Sequence, residues 1–192
     1  MASFARRRIP VLLFAILLCL LPSRKAEAQQ VAVRANALSW ALLTPDLGLD
    51  IITGEHTSLV FSVLGHYKPY GLDSKMAALQ GEFRYWFNGR PLTREYIGAT
   101  LFGATYDMRF SSRVYAGNAV GLGFVGGYSF ILGERWSLDL TAGTGLVAFH
   151  QKYYRTGDRY EDYFADAVST PNTWGFKFFP VRLAVSFVYI IK

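Results

Sequence analysis

Val181-Arg182-Leu183-Ala184-Val185-Ser186-Phe187-Val188-Tyr189-Ile190-Ile191-Lys192 is the most regular stretch of the chain. Large apolar residues occupy every odd position, and Arg182, Ala184 and Ser186 stand between them. A period of two is the mark of a strand with two different faces. Which of those faces meets water decides the architecture.

Seven further stretches share the strand character, giving eight in order: Val31–Leu43, Leu47–Thr53, Ser58–Tyr67, Met76–Phe87, Tyr96–Tyr106, Asn118–Leu132, Trp136–Phe149 and Trp174–Ile191. Leu79, Phe83, Tyr85 and Phe87 oppose Gln80, Glu82 and Arg84, while Trp136, Leu138 and Leu140 oppose Ser137, Asp139 and Thr141. No stretch carries a helical period, and no repeat or low-complexity linker divides the chain. The connections alternate in length. Gly54–Thr57, Asn88–Arg94 and Gly133–Arg135 are short and rich in turn residues, whereas Lys68–Lys75, Asp107–Gly117 and His150–Thr173 are longer and polar. Short turns at one end and long loops at the other are the habit of bacterial outer-membrane barrels.

A soluble barrel or sandwich would point its apolar face inward and cover the other with long charged side chains. Here the second face is small or uncharged, with Ala119, Gly121, Gly123, Thr141, Gly143, Gly145, Ala184 and Ser186. Such residues suit the lumen of an eight-stranded barrel, which has room for side chains and little else. The expected fold is therefore all-β, an eight-stranded antiparallel transmembrane β-barrel with its apolar face toward lipid. Glu82, Arg84, Asp139 and Arg182 fall on the inward face, and buried ions need partners, so they are expected to pair across the lumen. Tyr85, Tyr96, Trp136 and Tyr189 should form one aromatic rim; Tyr67, Tyr70, Tyr153 and Trp174 should form the other. Trp86 has inward parity, which this scheme does not explain.

The first 28 residues read as a secretory signal peptide: Arg6, Arg7 and Arg8, an apolar run from Ile9 to Leu21, then Ala26-Glu27-Ala28. The apolar run is too short to span a bilayer as a helix, which takes about 20 such residues. Cleavage after Ala28 leaves 15 basic and 13 acidic residues and lowers the net charge from +6 to +2. The basic balance is thus largely a property of the leader and gives no reason to expect nucleic acid as a partner. The one cysteine, Cys19, leaves with the leader, so residues 29–192 form a single domain without disulfides. Aromatic residues make up 16% of the chain and charged residues 18%, against about 25% charged in typical soluble domains.

Glu82-Phe83-Arg84-Tyr85-Trp86-Phe87, the stretch from Gly121 through Phe130 to Leu138, and Phe187 to Lys192 resemble one family. It is a domain-of-unknown-function family of small outer-membrane β-barrels, often encoded beside the type V fimbrial genes of gut and oral anaerobes. The resemblance covers nearly all of residues 29–192. It implies an outer-membrane barrel with a link to fimbriae; it carries no catalytic residues.

A lipid-modifying enzyme would need a nucleophile and a base at the outer rim. His66 and His150 lie near predicted outer ends with Ser62, Ser111 and Ser112 in the neighbourhood, but no serine holds a fixed short spacing to either histidine. His56 belongs to the opposite end, so the three histidines do not converge on a metal. Gly121-Leu122-Gly123-Phe124-Val125-Gly126 matches GxGxxG but sits inside a strand and precedes another, without the helix that a dinucleotide site requires. The longest loop mixes Tyr153, Tyr154, Tyr160 and Tyr163 with Arg155 and Arg159. Tyrosine and arginine are enriched at binding hot spots, which makes these six the candidates for contact with a partner. The expectation is a non-enzymatic, monomeric protein of the bacterial outer membrane, long loops outside. It would need no metal or cofactor, with membrane lipid and fimbrial or other surface proteins as partners. A binding or minor-transport barrel unrelated to fimbriae is the alternative.

Overall fold

The computed structural model describes residues 30–110, 113–155 and 172–191. Eight antiparallel strands form one closed ring: β1 (Val31–Asn36), β2 (Asp46–Ile52), β3 (Thr57–Tyr67), β4 (Ser74–Trp86), β5 (Arg94–Phe110), β6 (Arg113–Ile131), β7 (Trp136–Arg155) and β8 (Asn172–Ile190). Each strand pairs with its sequence neighbour, and β8 returns to β1 with Ala32 opposite Ile190 and Ala35 opposite Phe187. Closure removes the exposed edges that an open sheet would leave.

The faces divide as the alternation requires. Arg182, Ala184, Ser186 and Val188 are buried in the lumen, while Leu183 and Phe187 are exposed on the outside. The same holds around the ring. Asp46 and Asp50 point in and Leu47 and Leu49 point out; Glu82 and Arg84 point in and Phe83 and Tyr85 point out. Phe124 on the exterior is 75% exposed. The barrel is inverted relative to a water-soluble one.

Between β1 and β6 two stretches depart from the sequence expectation. The first predicted strand does not continue to Leu43, because Asn36 ends β1 and caps a short helix, α1 (Ala37–Ala41). The Asn36 amide oxygen accepts from Leu38 N at 3.2 Å, an N-cap bond. Five residues are too few to display a helical period. The Asp107–Gly117 stretch is not a long loop: β5 and β6 stay paired as far as Phe110 opposite Arg113. Alternation identifies a strand by its continuous apolar face, and here neither face carries one.

Strand length grows from 6 residues in β1 to 20 in β7. The ends joined by short turns form one base, whereas β5–β8 rise past β1–β4 at the other end as a curved wall. A bulge tunes the last strand: Gly143 faces Arg182 but Thr144 faces Pro180, leaving Val181 as the extra residue. A bulge is where a strand accepts proline, which lacks the donor for the ladder. It also reverses parity. Above it the odd residues of β8 turn inward, as Lys177 over the Phe149 ring shows, and Phe176 and Phe178 turn out.

The base of the lumen is closed by an apolar layer of Ala32, Trp86, Leu92, Tyr96 and Val188, with Ile52 and Ile190 packed against it. The inward parity of Trp86 is thereby explained. Its ring lies 4.5 Å from that of Tyr96, and its indole N–H donates to Ser58 Oγ at 2.9 Å. Tyr96 is accordingly not a rim aromatic; it is 2% exposed and belongs to this layer. Tyr85, Trp136 and Tyr189 do lie outside near the base, with Trp136 and Tyr189 in ring contact at 4.8 Å. Leu92 reaches the layer from the β4–β5 turn with a positive φ of 63°, and its carbonyl accepts from Ser129 Oγ.

Candidate functional site: an ionic lumen below an apolar vestibule

Directly above the apolar layer, charged side chains from five strands meet, joined by Tyr96 from a sixth. Arg34 on β1 grips Asp50 on β2 through two parallel bonds of 2.6 Å, Nε to Oδ1 and Nη2 to Oδ2. Its third nitrogen reaches Asp139 Oδ2 on β7 at 3.0 Å. Arg84 on β4 donates to the same oxygen at 2.9 Å and to Glu82 Oε2 at 2.8 and 2.5 Å. Asp139 also accepts from Tyr96 on β5 at 3.2 Å, and the Arg84 guanidinium stacks 4.4 Å from the Tyr96 ring. Arg182 on β8 bonds Asp46 Oδ2 at 3.1 Å and Gln80 Oε1 at 2.9 Å. Its Nε lies 3.2 Å from Glu82 Oε1 as an ion pair without hydrogen-bond alignment.

Glu82, Arg84, Asp139 and Arg182 thus converge in a single layer. Sequence reading missed Arg34, Asp46 and Asp50, which complete it. The signal was present in Asp46-Leu47-Gly48-Leu49-Asp50, where acids alternate with leucines, but β1 and β2 are too short to fix a register by pattern alone. Among the described residues the buried charges number three guanidinium groups and four carboxylates, so the layer carries one net negative charge when all are ionised. Isolated ions could not be buried this way; forked arginine–carboxylate contacts make it tolerable.

The histidines occupy three separate places. His66 sits between Thr44 Oγ1 at 3.1 Å and Ser74 Oγ at 2.8 Å, tying the segment after α1 to β3 and β4. Ser74 is eight residues from His66 in sequence and comes beside it across the β3–β4 hairpin, a neighbour that linear spacing did not reveal. His150 stacks on Trp174 at 4.6 Å. His56 stacks on Tyr85 and bonds the Trp86 carbonyl. Among the described residues no group of three His, Cys, Asp or Glu is arranged to hold a metal. Ser62 lies buried in the lumen, and Ser111 and Ser112 lie outside the described residues.

Of the six loop candidates, Tyr153, Tyr154 and Arg155 end β7, opposite Tyr115, Val114 and Arg113. Arg159, Tyr160 and Tyr163 lie outside the described residues. On the β3–β4 connection Lys68 pairs with Asp73 at 2.9 Å. The hydrogen bond between them holds the Asp73 carboxyl below its ordinary value and raises the Lys68 ammonium.

Above the ionic layer the inner face of the β5–β8 wall changes character. Met108, Tyr115, Val147, Phe149 and Phe179 line a cleft of about 460 Å³ together with Lys177. On the barrel exterior Leu47, Leu49, Phe61, Leu79 and Leu101 border a separate apolar depression of about 1000 Å³.

No curated protein and no solved structure matches the chain. A family model described as a protein of unknown function matches residues 12–191. With nearly its whole length matched, the chain belongs to the DUF3575 family.

Proposed function

We propose that this protein is an outer-membrane β-barrel whose long strands face the outside, with a structural or interaction role in the assembly or anchoring of surface fimbriae. The observation that carries the membrane part is the inversion of the barrel. Large apolar side chains cover the exterior, and seven charged residues are buried within. A wall of this kind is stable where its outside meets lipid, and closed barrels keep every backbone hydrogen bond internal. The fimbrial part rests on the family resemblance and on the tyrosines and arginines gathered at the end of β7 and beyond it, Tyr153, Tyr154, Arg155, Arg159, Tyr160 and Tyr163.

Two measurements test the two parts separately. An outer-membrane fraction run on a gel with and without boiling should show a mobility shift. Recovery of unshifted protein in the soluble periplasm would overturn the membrane reading. Replacing residues 156–171 by a short Gly-Ser linker should reduce the number or length of surface fimbriae in a barrel that still shifts. Unchanged fimbriae would leave a barrel unrelated to them, the second reading, for which the apolar vestibule speaks.

A further inference from the structure

The vestibule poses a problem that a lipid-facing exterior does not solve. Met108, Tyr115, Val147, Phe149 and Phe179 stand on the lumen side of the wall, continuous with the inward face of β5–β8. Their apolar character cannot be assigned to surrounding lipid. Nor are they packed as the base of the barrel is: Phe179 is 59% exposed. The arrangement depends on the bulge at Val181, which turns Lys177 and Phe179 inward above Arg182.

We propose that this vestibule binds a free fatty acid, the alkyl chain lying along the aromatic lining and the carboxylate meeting Lys177. A volume of about 460 Å³ lies within the span of small-molecule sites, about 300–1,000 Å³, which are mostly apolar with a few placed polar groups. Lys177 is the one charged residue in the lining, and its ammonium sits 5.5 Å from the Phe149 ring centroid. Gln151, the other strongly polar lining group, already accepts from Tyr106. One cation in the lining of an apolar trough is the complement of a single-chain anionic amphiphile, since ammonium and carboxylate form a charge-assisted bond. The ionic layer below, with its excess of acid, closes the trough to a second anion. The inference rests on the barrel being membrane-inserted with this end outside.

The test uses the protein reconstituted in phospholipid nanodiscs, with radiolabelled laurate measured against empty discs. Saturable binding of one laurate per chain is expected. Lys177→Glu should weaken it at least tenfold, and Val147→Trp should abolish it by filling the trough. Phe176→Ala, on the opposite face of the wall, should leave it unchanged. Heat-dependent mobility of the same discs reports insertion separately, so absence of saturable binding in inserted protein overturns the fatty-acid site alone. Wild-type affinity in Lys177→Glu would overturn it as well. So would binding that appears only when residues 156–171 are replaced by a linker, because the chain itself would then be the occupant.

Discussion

Arg84 makes more buried contacts than any single guanidinium could lose cheaply. It bonds both Glu82 and Asp139 and stacks on Tyr96, so its removal takes a cation from two buried carboxylates and leaves Asp139 to Arg34 and Glu82 to Arg182. Stranding a buried ion costs about 3–5 kcal/mol. Arg84→Met should therefore lower the unfolding free energy by about 3–5 kcal/mol, read from urea titration of the folded barrel in detergent. Arg84→Lys restores the charge without the fork and should fall between. A loss under about 1 kcal/mol for the methionine variant would mean the carboxylates take up protons or water at little cost. Trp86 is a second sensitive point, because its ring and indole N–H both act in the basal layer. Trp86→Ala should cost about 3–5 kcal/mol, and Trp86→Phe should recover the packing but leave Ser58 Oγ without its donor. Equal midpoints for the two variants would show that the ring contributes nothing.

At the scale of the element, β8 combines both devices of the fold: strict alternation below the bulge and reversed alternation above it. Leu183 is 67% exposed on the exterior. If that exterior is lipid, Leu183→Arg near the middle of the apolar band costs about 2–4 kcal/mol; on an aqueous surface it would stay within about 0.5 kcal/mol. Refolding into lipid vesicles with urea titration distinguishes the two. Deleting Val181 removes the extra residue, so that Pro180 adjoins Arg182 directly and Phe179 and Lys177 keep their inward facing on a regular ladder. The deletion should therefore retain the heat-dependent shift. Its loss would mean that the bulge itself is needed to seat Pro180 in the ladder. This is also where sequence and structure part. Alternation identified β4, β7 and the lower half of β8, since each has a continuous apolar face. It could not see the parity reversal, because Pro180-Val181-Arg182 reads as one uninterrupted strand. The upper ends of β5 and β7 read as loop in the sequence because their residues, such as Asp107 and Lys152, lack an apolar rhythm.

Across the whole molecule the lumen is stratified, from the apolar base through the ionic layer to the apolar vestibule. Four of the seven buried charges were legible from their parity on long strands. The other three, Arg34, Asp46 and Asp50, lie on strands of six and seven residues, where the pattern is too brief and their partners are more than one strand away or in uncertain register. The stratification bears on transport. An eight-stranded barrel has an interior just wide enough for side chains, and here the ionic layer draws side chains from six strands into mutual contact. Arg34, Arg84, Asp50 and Asp139 are each at most 2% exposed, so an ion crossing this level would have to displace a paired charge, and below it meets Trp86, Leu92 and Tyr96. Planar bilayers containing the protein should therefore show no conductance steps of porin size, at any sign of applied potential. Steps of that size in the wild type would require the base and the ionic layer to open together, and would contradict the reading of the buried charges as a structural closure. Should Arg84→Met remain folded and Leu92→Ala thin the base beneath it, the double variant would test the same closure from the other side. Both barriers are then weakened, and small steps absent from the wild type should appear. Their absence in a variant that still shifts on heating would place the closure in side chains other than these two.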